Sequence, residues 1–410
     1  MKKFDLFELK NGVRGVLVDL PHLNSVTVEV YLKIGSKYEM RNEFGISHVL
    51  EHMAFKGTKK RKTAIGINVE INSKGAIYNA GTGYEATSYY ITTVKRNIHW
   101  AVEFLSDILM NSTFPEIELK KELGVVAEEI KMYEDNPTMG LAYDFVEFMY
   151  GESKRGCWSI SGSVKDVSVI TRKKMINYRS KYLSGENMVV VVAGKLGNKK
   201  EIKKQTIDCF GGFNRQSSGK TETEIVLGKS RKMIKKKKID QAHFCFGVPT
   251  IERSDKRRYV AVLVETMISG NSSSRLYEQI RQKSGLAYYV FSLGQLLTET
   301  GYTGVQAGVN NKKLDFALEL TRNEYVDFYK TVKEEELKRI KDFILGKSEM
   351  SLDKTSFWSD FVGQRLLLDN KVVSLESELE KFKKVGLKEV KEFAKEFFRK
   401  DAFRLVVAKS

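Results

Sequence analysis

The segment "GAIYNAGTGYEATSYYITTV", residues 75–94, carries the pattern that decides the fold. Its second part, "GYEATSYYITTV", alternates in the way that is typical of a half-buried β-strand, and its first part is rich in glycine. A related segment, "GLAYYVFSLGQ", begins at residue 285, which is 210 positions later. Because the two segments occupy the same place in the two halves of the chain, they predict that one structural unit occurs twice.

The surrounding elements repeat in the same outline. In the first half, the strand "NSVTVEVYLKIG" is followed by helices at about 97–111 and 116–134, and then by the buried strand "ENMVVVVAG". The second half has the strands "QAHFCFGVP" and "GYTGVQAGVN" and several helical segments. The sequence therefore predicts an α+β fold of two homologous domains, each a mainly antiparallel β-sheet with helices packed on one face.

A polar stretch separates the two halves. "GGFNRQSSGKTETE", residues 211–224, is made of small and polar residues without apolar periodicity, which is typical of a linker. We therefore expect an N-terminal domain at 1–213, a linker at 214–224 and a C-terminal homologous domain at 225–410. The segment "RKMIKKKKID" just beyond the linker predicts an edge strand that its lysines keep from pairing.

Charge and hydropathy limit the possible partners. The net charge is +17, but the lysines are spread along the chain, without interleaved aromatic residues or a known nucleic-acid-binding motif. The sequence therefore predicts no nucleic-acid partner. It also predicts no membrane association, because no window approaches the roughly 18 apolar residues that span a bilayer. The N-terminus lacks the apolar core of a signal peptide, which favours a cytoplasmic protein.

The three cysteines do not indicate a disulfide framework. Cys157, Cys209 and Cys245 are odd in number and far apart, so we interpret them as small buried apolar residues and not as thiolate metal ligands.

The segment "HVLEH", residues 48–52, carries the candidate chemistry. On a helix, expected here from about Asn42 to Gly57, His48, Glu51 and His52 lie on one face. Two imidazoles one turn apart can hold a zinc ion, and the glutamate can contact a water molecule at the metal. The equivalent segment of the second half, "VLVET" at 262–266, has no histidine. The fold therefore does not require these histidines.

An acidic helix offers a third ligand. In "EIELKKELGVVAEEIKMYE", Glu122 and Glu129 are seven residues apart and share a face. Glu128 is about 100° around the helix from Glu129 and has the same chemistry. Helix periodicity alone leaves the choice between 128 and 129 open.

These motifs resemble the insulinase-like family of inverted-motif zinc peptidases, which includes pitrilysin and the mitochondrial processing peptidase. In that family, 76 residues separate H-x-x-E-H from a glutamate ligand, and a second functional glutamate stands seven positions before it. The matching positions here are Glu129 and Glu122. The resemblance thus favours Glu129 over Glu128. It implies one Zn²⁺ per chain, with metal ligands His48, His52 and Glu129, and with catalytic roles for Glu51 and Glu122.

The resemblance covers nearly the whole chain and implies a mode of substrate binding. "SSSRLYEQIRQKSGLAYYV" matches the family's C-terminal domain, in which an arginine and a tyrosine seven residues later hold the substrate. The matching residues are Arg281 and Tyr288. A peptide would add as a strand near Asn79, Ala80 and Thr82. The implied function is a zinc-dependent endopeptidase that cleaves short or unfolded peptides in an enclosed chamber.

The resemblance also implies an assembly. Relatives build a closed chamber from four such domains, and this chain supplies two, so we expect a homodimer. A heterodimer with a partner that lacks the zinc motif stays open. The alternative function is a non-catalytic or partner-dependent subunit of a heterodimeric processing peptidase, and the intact zinc motif argues against the non-catalytic form.

Overall fold

The computed structural model describes residues 4–153, 155–156, 158–219 and 223–410. These form two compact units, each discontinuous in sequence, whereas the sequence predicts continuous domains. The first unit consists of Met1–Lys131, Arg155–Thr223 and Met350–Ser374, and the second of Met132–Lys154, Glu224–Glu349 and Leu375–Ser410. Cys157 and residues 220–222 of the predicted linker lie outside the described residues. The predicted boundaries at 213 and 225 stay predictions.

Each unit contains one β-sheet. The strands are β1 (Phe4–Glu8), β2 (Arg14–Asp19), β3 (Ser25–Leu32), β4 (Ile77–Thr82), β5 (Thr87–Val94), β6 (Met188–Gly194), β7 (Lys232–Lys236), β8 (Gln241–Thr250), β9 (Ala287–Leu296), β10 (Gly301–Asn310) and β11 (Arg404–Lys409).

Helices account for most of the remaining chain. They are α1 (Ile46–Met53), α2 (Ala64–Ser73), α3 (Ile98–Met110), α4 (Glu116–Asp135), α5 (Pro137–Tyr150), α6 (Val164–Ser168), α7 (Arg172–Tyr182), α8 (Lys199–Phe210), α9 (Arg258–Ile268), α10 (Leu314–Thr331), α11 (Glu334–Ser351), α12 (Thr355–Leu368), α13 (Leu375–Lys384) and α14 (Leu387–Phe397). A π-helix covers Tyr277–Lys283, and short 3₁₀ turns cover Ser36–Tyr38, Lys95–Asn97, Gly185–Asn187 and Asn311–Lys313.

The strand orders of the two sheets repeat. The first sheet has the order β1-β2-β6-β3-β5-β4 and the second the order β7-β11-β8-β10-β9. Without β1 the two orders are equivalent, and in each the one parallel pair, β2 with β6 or β7 with β11, lies at the same place. This confirms the predicted α+β fold with an internal duplication. It also confirms that the lysine-rich segment contains an edge strand, β7.

The first sheet carries helices on both faces. On one face, Val28 of β3, Val49 of α1 and Phe104 of α3 are fully buried in a single core. On the other face, α12 packs on β3, where Ser359 donates a 2.6 Å hydrogen bond to Glu29. The sequence predicts cover on one face only. The second layer is needed because β6 is buried along its whole length, and such a strand must be covered on both faces.

The second sheet has the same arrangement with a different helix. Phe246, Leu263 and Val305 belong to the core that joins this sheet to α9. Its other face carries α5, where Gln306 donates to the carbonyls of Pro137 and Thr138 at 3.1 and 3.0 Å. Thus α5, from the first half of the sequence, belongs to the second unit, and α12, from the second half, belongs to the first. This reciprocal exchange makes both units discontinuous.

Helix α1 is shorter than the sequence predicts. It begins at Ile46 and ends at Met53. Gly45 precedes it with φ 81°, in the left-handed region that favours glycine. The buried Glu39 carboxylate accepts hydrogen bonds from the backbone N–H groups of Gly45 and Ser47, both at 2.8 Å. These hydrogen bonds satisfy N–H groups at the start of the helix. The helix therefore begins at Ile46, four residues after the predicted start near Asn42.

The two cysteines that the structure describes differ in exposure. Cys245 is buried and Cys209 is half-buried. In the described part of the chain, no helix combines the length and the apolar character that crossing a membrane requires.

Candidate functional site

His48, His52 and Glu129 come together between α1 and α4. The His48 Nε2 atom is 3.7 Å from Glu129 Oε2, and the His52 Nε2 atom is 3.8 Å from the same oxygen. The imidazole ring centres are 4.7 Å apart. Both imidazoles therefore converge on one carboxylate oxygen without forming a hydrogen bond to it, because these distances exceed the usual 3.2 Å limit.

This spacing fits a shared metal ion. Ligand atoms that bind zinc tetrahedrally at about 2.0–2.2 Å are about 3.3–3.6 Å apart, close to the observed values. Among the described residues, these three side chains form the one group of His, Cys, Asp and Glu with ligand atoms all within 4.8 Å of one another. The other ring nitrogen of His48, Nδ1, is buried without a hydrogen-bond partner in the part of the chain that the structure describes. Two histidines and one carboxylate match the chemistry of a zinc site.

Burial keeps His48 in the form that binds metals. It lowers the pKa of His48 to about 4, and the neighbouring His52 acts in the same direction. The imidazole is therefore neutral at neutral pH, so a nitrogen lone pair is available to a cation.

Glu122 orients His52. The His52 Nδ1 atom lies 3.2 Å from Glu122 Oε2, and Lys56 Nζ forms an ion pair with Glu122 Oε1 at 2.6 Å. A carboxylate that accepts the Nδ1–H of a histidine fixes its tautomer and directs Nε2 toward the ligand. Lys56 is not among the residues predicted from the sequence, although its position four residues after His52 is a signal that could have identified it.

The rotation of α4 about its axis places Glu129 and Glu128 in different environments. Leu119, Val126 and Ile130 are buried on this helix, and Glu122 is buried with them. The Glu128 side chain is 74% exposed and pairs with Lys131 at 2.7 Å. Helix α4 therefore brings Glu129 to the histidines and leaves Glu128 in solvent.

Glu51 of helix α1 contacts strand β4. The Thr82 hydroxyl donates a 2.6 Å hydrogen bond to Glu51 Oε2. Burial raises the pKa of Glu51, and the bond from Thr82 opposes that shift. A half-buried carboxylate of this kind holds a proton more readily than an exposed one does. The predicted role of Thr82 was peptide binding, and the sequence did not indicate its contact with Glu51.

Strand β4 is a free edge of the first sheet. It pairs with β5, and no other described strand pairs with it. Asn79 is exposed, whereas Ala80 and Thr82 are half-buried. The Ala80 N–H donates to Asn79 Oδ1 at 2.9 Å. An edge of this kind can accept an extended chain as an additional strand.

Arg281 and Tyr288 lie in the second unit on irregular backbone. Arg281 is exposed in the π-helix Tyr277–Lys283, with its guanidinium carbon 5.0 Å from the ring centre of Tyr277. Tyr288 is the extra residue of a β-bulge, because Gly308 pairs with Tyr289 and Val309 pairs with Ala287. Its side chain is 76% exposed. π-Helices and bulges often redirect side chains at functional sites, and no sequence pattern indicated either feature.

Both halves of the chain match models of one peptidase family. Residues 15–150 match the insulinase model of peptidase family M16, and residues 170–343 match the model described as the peptidase M16 inactive domain. The matched segments contain "HVLEH" and the pair Arg281 and Tyr288, respectively.

Curated relatives are similar over almost their whole length. The chain is 30% identical to an uncharacterized zinc protease of Rickettsia bellii, covering 99% of this chain and 98% of that protein. It is 31% identical to the uncharacterized zinc protease YmxG of Bacillus subtilis, covering 96% of each.

Solved structures share the fold. A protease from Helicobacter pylori matches with a TM-score of 0.91 and 22% identity over all of both chains. The peptidase M16 inactive domain from Pseudomonas fluorescens matches with a TM-score of 0.91 and 16% identity, covering 99% of this chain and 98% of that one.

Proposed function

The chain belongs to the insulinase family of M16 peptidases, and we propose that it is a zinc-dependent endopeptidase that hydrolyses short or unfolded peptides. The observation that carries this proposal is the convergence of His48, His52 and Glu129, with Glu51 on the same helix face. The names of the curated relatives support a zinc protease at a general level.

His48, His52 and Glu129 would hold the zinc ion. When bound, zinc would supply Lewis-acid polarisation of the scissile carbonyl and would make a water molecule more acidic. Glu122 would keep the His52 ring in place through the contact at Nδ1. Lys56, paired with the other Glu122 oxygen, would keep that carboxylate correctly oriented.

Glu51 would be the general base. Its carboxylate would accept a proton from the attacking water and then pass it to the leaving amine. The pKa raised by burial favours both steps, because a carboxylate with a higher pKa accepts a proton more readily and still releases it to an amine.

The edge strand β4 would hold the substrate. A peptide in extended conformation would form backbone hydrogen bonds along Asn79, Ala80 and Thr82, which requires unfolded chain but little specific sequence. Arg281 and Tyr288 would donate hydrogen bonds to the substrate, as the resemblance implies. The exposure of Tyr288 supports this role, because an exposed side chain on a bulge can turn toward a ligand at a small cost in free energy.

We further propose a homodimer that encloses a chamber, and a cytoplasmic location. The dimer and the chamber follow from the resemblance to the family. Light scattering coupled to gel filtration would measure the mass of the assembly. A mass of about one 46.8 kDa chain would contradict the dimer.

The first test is hydrolysis of an internally quenched peptide by the purified protein. We expect cleavage that a chelator abolishes and zinc restores, and that Glu51→Gln abolishes while zinc stays bound. Glu128→Gln is the matched control, because it makes the same change at an exposed glutamate. If zinc binds but no peptide is cleaved, a partner-dependent subunit becomes the better interpretation. If zinc does not bind, the assignment of the metal ligands is wrong.

A further inference from the structure

The second half of the chain keeps a glutamate that metal binding does not explain. Glu265 of α9 occupies the place that Glu51 has in α1, whereas Val262 and Thr266 replace the two histidines. The one candidate metal cluster among the described residues lies in the first unit. Glu265 therefore needs another explanation.

Glu265 contacts two residues of strand β9. The Ser292 hydroxyl donates a short hydrogen bond to Glu265 Oε1. Gly294 lies against the same carboxylate, since a Cβ atom on Gly294 would be 2.1 Å from Glu265 Oε2. The Glu265 side chain is half-buried, and burial raises its pKa to about 7. We call the contact of Glu265 with Ser292 and Gly294 the α9–β9 clasp.

The same contact occurs in the first half. There, Thr82 of β4 donates to Glu51 of α1. Thr82 is seven residues after Gly75, and Ser292 is seven residues after Gly285, so the two hydroxyls occupy equivalent positions. A hydrogen bond from the edge strand to the helix glutamate is therefore part of the duplicated fold. In the second unit it persists without the histidines, which indicates that it serves the strand itself.

Strand β9 requires such an attachment. It is an edge strand that pairs with β10, and Tyr288 interrupts that pairing as the extra residue of a bulge. Next to Tyr288, the buried Tyr289 holds the strand through a 2.9 Å contact between its hydroxyl and His243 Nδ1. Beyond that point, Phe291 and Ser292 are exposed. The clasp is one contact with α9 in this more exposed part of the strand.

We propose that Glu265 and Ser292 are positioning residues that hold β9 on α9 and thereby keep the Tyr288 bulge in place. A carboxylate removed from water forms a strong hydrogen bond with a hydroxyl. Three residues of extended strand separate Ser292 from Tyr288, so loss of the bond would let this segment move more freely. The role of Tyr288 in binding peptide rests on the proposed function, whereas the clasp does not depend on it.

The first test does not require activity. Amide hydrogen exchange would be measured over residues 288–296 in the full-length, zinc-loaded protein. We expect Ser292→Ala to accelerate exchange there by about tenfold, and Ser292→Thr to restore the wild-type rate. Gly294→Ala should have a similar effect, because its methyl group would push against the carboxylate. Ser254→Ala is the control, since Ser254 also donates to a glutamate, Glu252, but within a single loop.

The second test links the clasp to Tyr288 in peptide hydrolysis. We expect Ser292→Ala to lower kcat/KM several-fold in the wild-type background and less than twofold in the Tyr288→Phe background, with zinc content unchanged. Equal effects in both backgrounds would overturn the link to Tyr288. Unchanged exchange in Ser292→Ala and Gly294→Ala would overturn the clasp. If the wild-type protein cleaves no peptide, the proposed function fails, and the exchange rates alone decide the clasp.

Discussion

Glu29 is a buried carboxyl whose ionisation should make the first unit less stable. It lies in the middle of β3 beneath α12, and 5% of its surface is exposed. Ser359 of α12 donates to it, and Asp360 of the same helix is close enough to oppose its charge. Burial, the largest cause, raises the pKa of Glu29 from 4.5 to about 7.

The size and sign of the effect follow from this shift. Because the pKa is higher in the folded protein than in the unfolded chain, the folded state binds this proton more tightly, and stability is lost as pH rises from about 4.5 to about 7. Compared with a carboxyl whose pKa does not change on folding, a difference of 2.5 in pKa lowers the free energy of unfolding by about 3 kcal/mol at pH 8. At pH 5 it lowers that free energy by about 1 kcal/mol. Glu29→Gln cannot ionise, and its amide oxygen can still accept the hydrogen bond from Ser359.

We therefore expect Glu29→Gln to stabilise the protein at pH 8 by about 2 kcal/mol more than it does at pH 5. Urea unfolding of the variant and the wild type at both pH values would measure this difference. Glu128→Gln makes the same chemical change at an exposed position and should show no pH-dependent gain. If Glu29→Gln changes the stability equally at pH 5 and pH 8, Glu29 is ionised in the folded protein at both, and the reasoning is refuted.

The remaining predictions concern the site. Glu129→Gln should weaken zinc binding, measured by competition with a chromophoric chelator, more than Glu122→Gln does, for which we expect a loss of roughly 10–100-fold. Glu128→Gln should leave the affinity unchanged, and a loss equal to that of Glu129→Gln would contradict the ligand assignment. Tyr288→Phe should lower kcat/KM by about 100-fold if the hydroxyl stabilises the reacting carbonyl. Its melting temperature should stay the same because the side chain is exposed, and unchanged kinetics would argue against this role.

The two halves share a hydrogen bond from the edge strand to the helix glutamate. The bond from Thr82 to Glu51 and the bond from Ser292 to Glu265 are equivalent, but only the first unit also has the two histidines. In the first unit, the residue that accepts the hydrogen bond from the edge strand is therefore also the proposed general base, Glu51. A peptide that adds to β4 would bind to a strand already attached to that base.

The sequence alone determined the features that depend on local pattern. A period of 3.6 residues places His48, Glu51 and His52 on one helix face, whatever the rest of the chain does. Strand alternation and the 210-residue repeat were sufficient to predict two equivalent sheets, and α3 and α4 lie within about one residue of their predicted ends. The resemblance to a known family added the choice of Glu129, which periodicity could not make.

Other features depend on contacts between residues that are far apart in the sequence, and no local pattern predicts them. Whether Glu128 or Glu129 faces α1 depends on which side of α4 packs into the core, and burial of Val126 and Ile130 sets that rotation. The exchange of α5 and α12 arises because each sheet has a second apolar face that needs cover, and a single half of the sequence does not show which helix supplies it. The Tyr288 bulge comes from the register of β9 on β10, which is a property of the strand pair and not of either strand by itself.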